Sequence, residues 1–563
     1  MDEAGLFTSS TTDFADNQVA HAQFWNKYER PPKEEYWDYI VGRRDLLVPQ
    51  DIRERKGSFF TPQIWVELSQ QYLTDVLGED WQDEYYVWDC AAGTGNLLNG
   101  LTNKYHIWAS TLDKQDVDVM HDRIKNGANL LKDHVFQFDF LNDDFSKLPK
   151  LLQDIINNPE ERRKLVININ PPYAEGDNVR GLGRKNVHVS KIHNKYQELM
   201  GKSSGELFAQ FFIRIYQEIP QCVLAEFSKM KILQAPNFSD FRNIFRAKLE
   251  KIFLVPANTF DNVKGDFPIG FIIWDTSKDE VFEKTSADVY DAKGNFVGTK
   301  VITAYDNLKY ISDWLDINST NISTNYIGHL ASVGNDFQNQ RMIFIDNEKK
   351  ENWKKGGRHT RITAENLIIA SIFFAVRKVI PATWLNDRDQ FLHPNNKWEE
   401  DTEFQNDCLA YTLFNNNISS SFGVNDWIPF TEQEVDAREK FASNFMINFI
   451  NGKLKTDHIG GLFSTQTERT TPLIFSLEAA AVFDAGRELW KYYHKQPNCN
   501  VNASYYDIRE HFQGRNEAGK MNNTSSDETY TSLISNLRDK LRQLTYKIEP
   551  KVYQYGFLKK QHI

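Results

Sequence analysis

The sequence predicts an α/β protein built on a mostly parallel, doubly wound sheet, with an α+β region and a helical tail beyond it. Two observations carry that expectation. Seven short apolar runs recur between residues 85 and 275, and most are separated by stretches long enough for a helix, the pattern of successive βαβ units. The first of these runs ends in a strand-to-helix turn carrying Gly93 and Gly95.

Each element follows in order. Residues 1–57 read as polar helices and loops, including FWNKYERPPKEEYWDYI. The strand candidates are YYVWDCA (85–91), HIWASTLD (106–113), VFQFDFL (135–141), LVININ (165–170), CVLAEFS (222–228), KIFLVPA (251–257) and IGFIIWD (269–275). Alternation on both sides of a KGN turn predicts a hairpin over 288–305. Beyond about residue 310 the regular order gives way to aromatics, polar loops and basic clusters, and helical periodicity returns toward the end of the chain. The expected domains are therefore 1–57, 58–310, 311–480 and 481–563.

Composition bounds the function. The chain has 563 residues, 40% hydrophobic and 13% aromatic, enough for several packed cores. No run approaches the apolar length that spans a bilayer, and MDEAGLFTSSTTDFADNQ is acidic and polar where a secretory signal is basic and then apolar. A cytoplasmic protein with no membrane partner is expected. Cys90, Cys222, Cys408 and Cys499 form no CxxC pair, so neither a disulfide framework nor a metal site is expected. The net charge of −11 describes the whole surface, whereas phosphate contacts need only a local basic face.

Four successive strand ends carry polar residues. Asp89 precedes the glycine turn, Asp113 lies 24 positions later, Asp139 ends the third strand, and the fourth ends in Asn170, Pro171, Pro172 and Tyr173. Proline cannot donate to a ladder and pushes its predecessor out of helical geometry, so LVININPPY must stop as a strand and continue as a stiff stub. Strand ends of this kind are where open α/β sheets place ligands.

This series resembles the N6-adenine DNA methyltransferases that use S-adenosylmethionine, of the order in which the cofactor motif precedes NPPY. RKGSFFTP (55–62) resembles the element that closes over the methionine part of the cofactor, GELFAQFFIRIYQEIP resembles the helix after NPPY, and DFPIGFIIWD resembles the late strand. The resemblance covers about residues 55–280. It implies S-adenosyl-L-methionine bound by Phe60, Thr61, Pro62, Asp89, Ala91, Gly93, Gly95, Asn96 and Asn170, with Asp113 on the ribose and Asp139 and Phe140 on the adenine. It also implies a target adenine turned out of double-stranded DNA, held by Asn170, Pro171 and Pro172, and stacked between Tyr173 and either Phe260 or Phe267.

Two basic runs supply local positive charge. VRGLGRKNVHVSKIHNKYQ carries Arg180, Arg184, Lys185, Lys191 and Lys195 in an expected flexible loop, and KKENWKKGGRHTR carries Lys354, Lys355, Arg358 and Arg361. Target choice is expected in residues 310–480, with a cognate restriction endonuclease or specificity subunit as partner. Release-factor glutamine methyltransferases and some RNA base methyltransferases also use NPPY, but they are generally compact, whereas nearly 290 residues follow the catalytic region here. A non-catalytic specificity subunit is a further reading, against which the intact Asn170, Asp113 and glycine turn count. A third reading is a fused restriction and modification enzyme; with RKGSFFTP near residue 60, an N-terminal nuclease domain is not expected.

Overall fold

The computed structural model describes residues 61–173, 189–260, 263, 265–319, 326–347, 357–456, 467–468 and 471–560. The expected segment 1–57 lies outside these. Two compact units divide between Asp306 and Asn307.

The first unit contains a nine-stranded sheet in the order β3-β2-β1-β4-β5-β7-β6-β8-β9, so it is α/β as expected. The strands are β1 (Tyr86–Asp89), β2 (Ile107–Thr111), β3 (Val135–Gln137), β4 (Leu165–Ile169), β5 (Val223–Lys229), β6 (Ala247–Pro256), β7 (Pro268–Asp279), β8 (Lys284–Tyr290) and β9 (Phe296–Thr303). β2 and β4 are buried at every position, which is why they read as continuous apolar runs rather than as alternation. β1 to β5 pair in parallel, and the chain order reverses between β1 and β4. The carboxyl ends of those two neighbours mark the switch point at which such sheets bind ligands.

β7 runs antiparallel to both β5 and β6. The connection from β6 is too short to hold a crossover helix, so the chain can only fold back as a hairpin. β3 is shorter than the run 135–141 suggested, because Asp139 turns the chain: its carbonyl accepts from the N–H groups of Asn142 and Asp143. The β8–β9 hairpin turns at Asp291, whose carboxylate accepts from the N–H groups of Lys293 and Asn295 at 2.8 and 2.9 Å.

Helix α1 (Gln63–Leu77) starts at Pro62, whose carbonyl accepts from the N–H groups of Trp65 and Val66 at 2.9 and 3.1 Å. The buried Trp65 indole donates to the Thr259 hydroxyl at 2.8 Å and fixes the start of the helix. Helix α2 (Lys114–Lys125) follows β2, and α3 (Lys191–Met200) and α4 (Leu207–Glu218) precede β5. Lys191 and Lys195 therefore lie in a helix, not in the flexible loop expected. Ser190 caps that helix by accepting from the His193 N–H at 2.9 Å, and Ile192, Tyr196 and Met200 recur on its buried face.

The second unit, Asn307–Lys560, contains an antiparallel sheet in the order β11-β10-β12, with β10 Gly328–Ser332, β11 Phe344–Asp346 and β12 Arg358–Ile362. Its core joins helices α5 (Leu367–Val376), α6 (Thr402–Leu413), α7 (Leu477–His494) and α8 (Glu528–Gln554) in one cluster, so a single core spans the expected boundary at residue 480. Phe391 belongs to this core, 4.8 Å from the Phe337 ring and 4.7 Å from the buried Arg377 guanidinium. Among the described residues no helix is long and apolar enough to cross a membrane.

Candidate active site at the carboxyl ends of the sheet

β1 carries Asp89 into the interior, 1% exposed, where its carboxylate accepts from the Ala91 N–H at 3.0 Å. Burial pushes the Asp89 carboxyl up to about 8. The turn that follows has Gly93 at φ +52° and Gly95 at φ +82°, left-handed values that L side chains avoid. A Cβ on Gly95 would stand 3.1 Å from the Met120 sulfur, whereas one on Gly93 would meet nothing within 4 Å. The two glycines thus have different reasons: close packing against α2 at Gly95, and backbone shape beside open space at Gly93. Arg123 of α2 pins the turn, donating to the Thr94 carbonyl at 2.5 Å, to Asn96 at 3.1 Å and to Asn99 at 2.8 Å. No pattern in the sequence marks this arginine.

The neighbouring strand ends present the other two acids. Asp113 occupies the N-cap position of α2 without a side-chain capping bond, so capping does not account for its carboxylate. Asp139 accepts from the Leu141 N–H at 3.0 Å and from the Asn142 amide at 2.8 Å, and it stays half-buried at the rim. Phe140 follows directly after Asp139. Its ring is 2% exposed and stacks on Phe211 at 4.9 Å, within the core rather than along an open pocket.

At the end of β4 the half-buried Asn170 amide is held at both ends. Its nitrogen donates to the Thr61 hydroxyl at 2.8 Å, and its oxygen accepts from the Tyr173 hydroxyl at 2.6 Å. Tyr173 is 5% exposed, with Phe208 edge-on at 6.5 Å. Burial, and secondarily the Glu226 carboxylate, push the Tyr173 phenol well above its ordinary range, so it remains a neutral donor. Glu226 is itself fully buried, accepts from the Trp274 indole at 3.1 Å and is raised well above the usual carboxylate range by burial.

Lys229, at the end of β5, was not singled out by sequence reasoning. Its ammonium donates to the Tyr173 carbonyl at 3.3 Å and lies 5.7 Å from the Tyr173 ring and 5.8 Å from the Phe267 ring. Phe267 is half-buried beside it, whereas Phe260 is 1% exposed and packs edge-on to Phe227 at 5.9 Å. Of the two phenylalanines, only Phe267 shares a neighbour with Tyr173 through these contacts.

The structure thus brings Thr61, Asn170 and Tyr173 into direct contact, with Lys229 and Phe267 adjoining, and sets Asp89, Asp113 and Asp139 at the ends of adjacent strands. Phe60, Arg180, Arg184, Lys185, Lys354 and Lys355 lie outside the described residues. Lys195 pairs with Glu218 at 2.7 Å. In the second unit Arg358 and Arg361 stand on β12, not in a loop. Arg358 pairs with Asp316 at 2.5 Å, and Arg361 lies 5.4 Å from the Tyr326 ring.

The residues present fit S-adenosylmethionine. Gly93 faces open space at the switch point, Asp89 offers a buried carboxyl group beside it, and Asp113 and Asp139 offer acceptors suited to hydroxyls and an exocyclic amine.

No protein-family model matches the chain, and no curated protein matches it. Solved structures similar to it include a complex of DrdV with DNA, at 14% identity and a TM-score of 0.39 over 54% of this chain and 38% of that one. A modification subunit of a putative type I restriction enzyme from Vibrio vulnificus matches at 14% identity and a TM-score of 0.33, over 49% and 62% of the two chains. The M protein of the type I restriction enzyme EcoKI matches at 13% identity and a TM-score of 0.26, over 49% and 56%. The chain spans less than two thirds of the length of each.

Proposed function

We propose that the chain is a site-specific DNA methyltransferase that transfers a methyl group from S-adenosyl-L-methionine to the N6 amino group of an adenine turned out of the duplex. The observation that carries this is the Asn170 amide, held at the end of β4 beside the glycine turn of β1. In this reading residues 58–310 form the catalytic domain, 311–480 choose the target, and 481–563 form a helical support. The protein works in restriction-modification or epigenetic marking, with a restriction endonuclease or specificity subunit as partner. Arg180, Arg184, Lys185, Lys191 and Lys195, with Lys354, Lys355, Arg358 and Arg361, meet phosphates.

An adenine amino lone pair is delocalised into the ring, so the nitrogen must become more tetrahedral and electron-rich before it attacks. Asn170 Oδ1 and the Pro171 carbonyl accept its two N–H groups and stabilise that change. Pro171 and Pro172 hold both acceptors stiffly in advance. Bound S-adenosylmethionine supplies the electrophilic methyl group on a sulfonium. Asn170 Oδ1 and the Pro171 carbonyl would hold the amino protons until one passes to water, so no strong protein base would be required. Phe267 faces the base, and Tyr173 covers its other side once its hydroxyl leaves Asn170. Gly93, Gly95, Ala91 and Asn96 shape the cofactor turn, Thr61 and Pro62 close it, and Asp89, Asp113 and Asp139 accept from the bound cofactor.

The test incubates the purified chain with methyl-labelled cofactor and separate DNA, RNA and peptide substrates, then digests the products and identifies the labelled residue by mass spectrometry. N6-methyladenine in DNA is expected. Label confined to RNA or to glutamine overturns the reading.

A further inference from the structure

We infer that Asn168 is a positioning residue for Asp89, a reserved amide donor that turns to the Asp89 carboxylate when the ammonium group of the cofactor binds against it. The inference rests on the methyltransferase reading of the site. β4 runs Leu165, Val166, Ile167, Asn168, Ile169, so one amide interrupts an apolar strand that is buried at every position. Asn168 is fully buried, and neither its Oδ1 nor its Nδ2 has a partner among the described residues. Burying an unpaired amide is destabilising, a cost that the apolar side chains around it avoid.

Strand register shows what the amide faces. β1 and β4 pair in parallel with Val87 opposite Val166 and Trp88 opposite Ile167, so the next step along both strands sets Asp89 opposite Asn168. Residues opposite each other share one face of the sheet, on strands about 4.8 Å apart. The flanking partners offer nothing polar: Ala109 lies opposite Asp89 in β2, and Ala225 lies opposite Asn168 in β5. The side chains that α1 buries, Trp65, Val66, Ser69, Tyr72 and Leu73, carry no charge, and the Ser69 hydroxyl is bound to the Val66 carbonyl.

Asp89 has to change its charge to serve the cofactor. Burial, opposed by the Ala91 N–H, raises its carboxyl to about 8, so the free protein holds a proton there at neutral pH. S-adenosylmethionine carries an ammonium group at its methionine end. A cation seated against the carboxyl releases that proton and leaves a buried carboxylate, which is acceptor-only and needs further donors. Asn168 Nδ2 is the donor on the facing strand, brought round by rotation about the broad amide torsion.

Asn168→Val keeps a strand-forming shape and removes the amide. Its dissociation constant for S-adenosylmethionine, measured by calorimetry at pH 7, should rise about 10- to 100-fold, the range expected for one hydrogen bond to a charged group, although the free protein melts at or above the wild-type temperature. Asn168→Thr, which keeps a side-chain donor, should stay within about fivefold of wild type. In an Asp89→Asn background Asn168→Val should add no further loss. The free protein gives an independent reading. Its melting temperature should fall with rising pH until the folded chain gives up the Asp89 proton near 8, and in Asn168→Val that fall should run about one pH unit further, because the carboxylate has lost its donor.

Unchanged cofactor affinity in Asn168→Val overturns the inference. So does an equal loss in the Asp89→Asn background, which makes some other group the partner of the amide, and so does a destabilised Asn168→Val, whose amide is then already satisfied. A wild-type chain that binds no S-adenosylmethionine defeats the methyltransferase reading instead, and the pH course of the free proteins still decides whether Asn168 serves Asp89.

Discussion

The Tyr173 hydroxyl donates to Asn170 Oδ1 across 2.6 Å, so the aromatic residue and the amide of one four-residue stub are bonded to each other. A base amino group aimed at that oxygen shares it with the phenol or displaces the phenol. Removing the phenol while keeping the ring should therefore help binding. Tyr173→Phe should lower the KM for DNA about two- to tenfold, the worth of one ordinary hydrogen bond, while Tyr173→Ala should raise it. Steady-state methylation at fixed salt separates the two. A higher KM in Tyr173→Phe means the hydroxyl aids substrate rather than competing with it.

Asn170→Ala should reduce methyl transfer by at least about 100-fold while cofactor and DNA affinities stay near wild type, because acceptors aimed at developing charge act mainly in the transition state. Radiolabel incorporation gives the rate, and calorimetry and gel shift give the affinities. Activity within a few-fold of wild type removes Asn170 from the chemistry.

Phe260 and Phe267 should separate cleanly. Phe260→Ala opens a cavity in the core beside Phe227 and should cost about 3–5 kcal/mol of stability. Phe267→Ala, at a half-buried ring, should leave the melting temperature within a few degrees of wild type and weaken methylation. The reverse pattern in paired melting and activity assays would exchange their roles.

Asp89 makes stability depend on pH. Its folded-state value, about 8, stands above the ordinary 3.8, so the folded chain holds a proton there that the unfolded chain gives up. That contribution is full below about pH 4 and is lost as pH rises through about 8. Melting temperatures between pH 5.5 and 8.5 should fall more steeply for wild type than for Asp89→Asn. Parallel curves for the two proteins would show that Asp89 does not hold this proton.

Asn168 is fully buried in β4, and neither of its amide atoms has a partner among the described residues. Replacing an unpaired amide by an apolar strand-former removes its desolvation cost, so Asn168→Val should stabilise the protein by about 1–3 kcal/mol. Denaturant titration reads this directly, and a destabilised variant would mean that the amide is satisfied.

Much of this was legible in advance because buried parallel strands announce themselves as short β-branched and aromatic runs. All seven appear, and β4 stops at Ile169 just before Asn170 and Pro171, while β1 stops at Asp89, two residues short of the run 85–91. Strand direction was less legible. Nothing in IGFIIWD says that β7 runs opposite to β5; only the short connection from β6 implies it. The helix holding Lys191 and Lys195 was hidden by the glycines and histidines before it, although Ser190 is an ordinary cap. The Thr61–Asn170 bond, the arginine behind the glycine turn and the ammonium of Lys229 were out of reach, since each joins residues far apart in sequence and depends on how strands are ordered in space.

The reversed direction of β7 also sets where the chain tolerates change in length. Because β7 starts at the edge where the parallel strands finish, Phe267 arrives beside Lys229 through the ladder pairing Lys229 with Ile269. That ladder acts as a ruler. A residue gained or lost within β5 or β7 would slide the pairing by about 3.3 Å and turn alternate side chains to the wrong face. An insertion between β8 and β9 moves neither ring. Descendants of this sequence should therefore vary freely in that hairpin tip and hold constant length from Val223 to Lys229 and from Phe267 to Asp275.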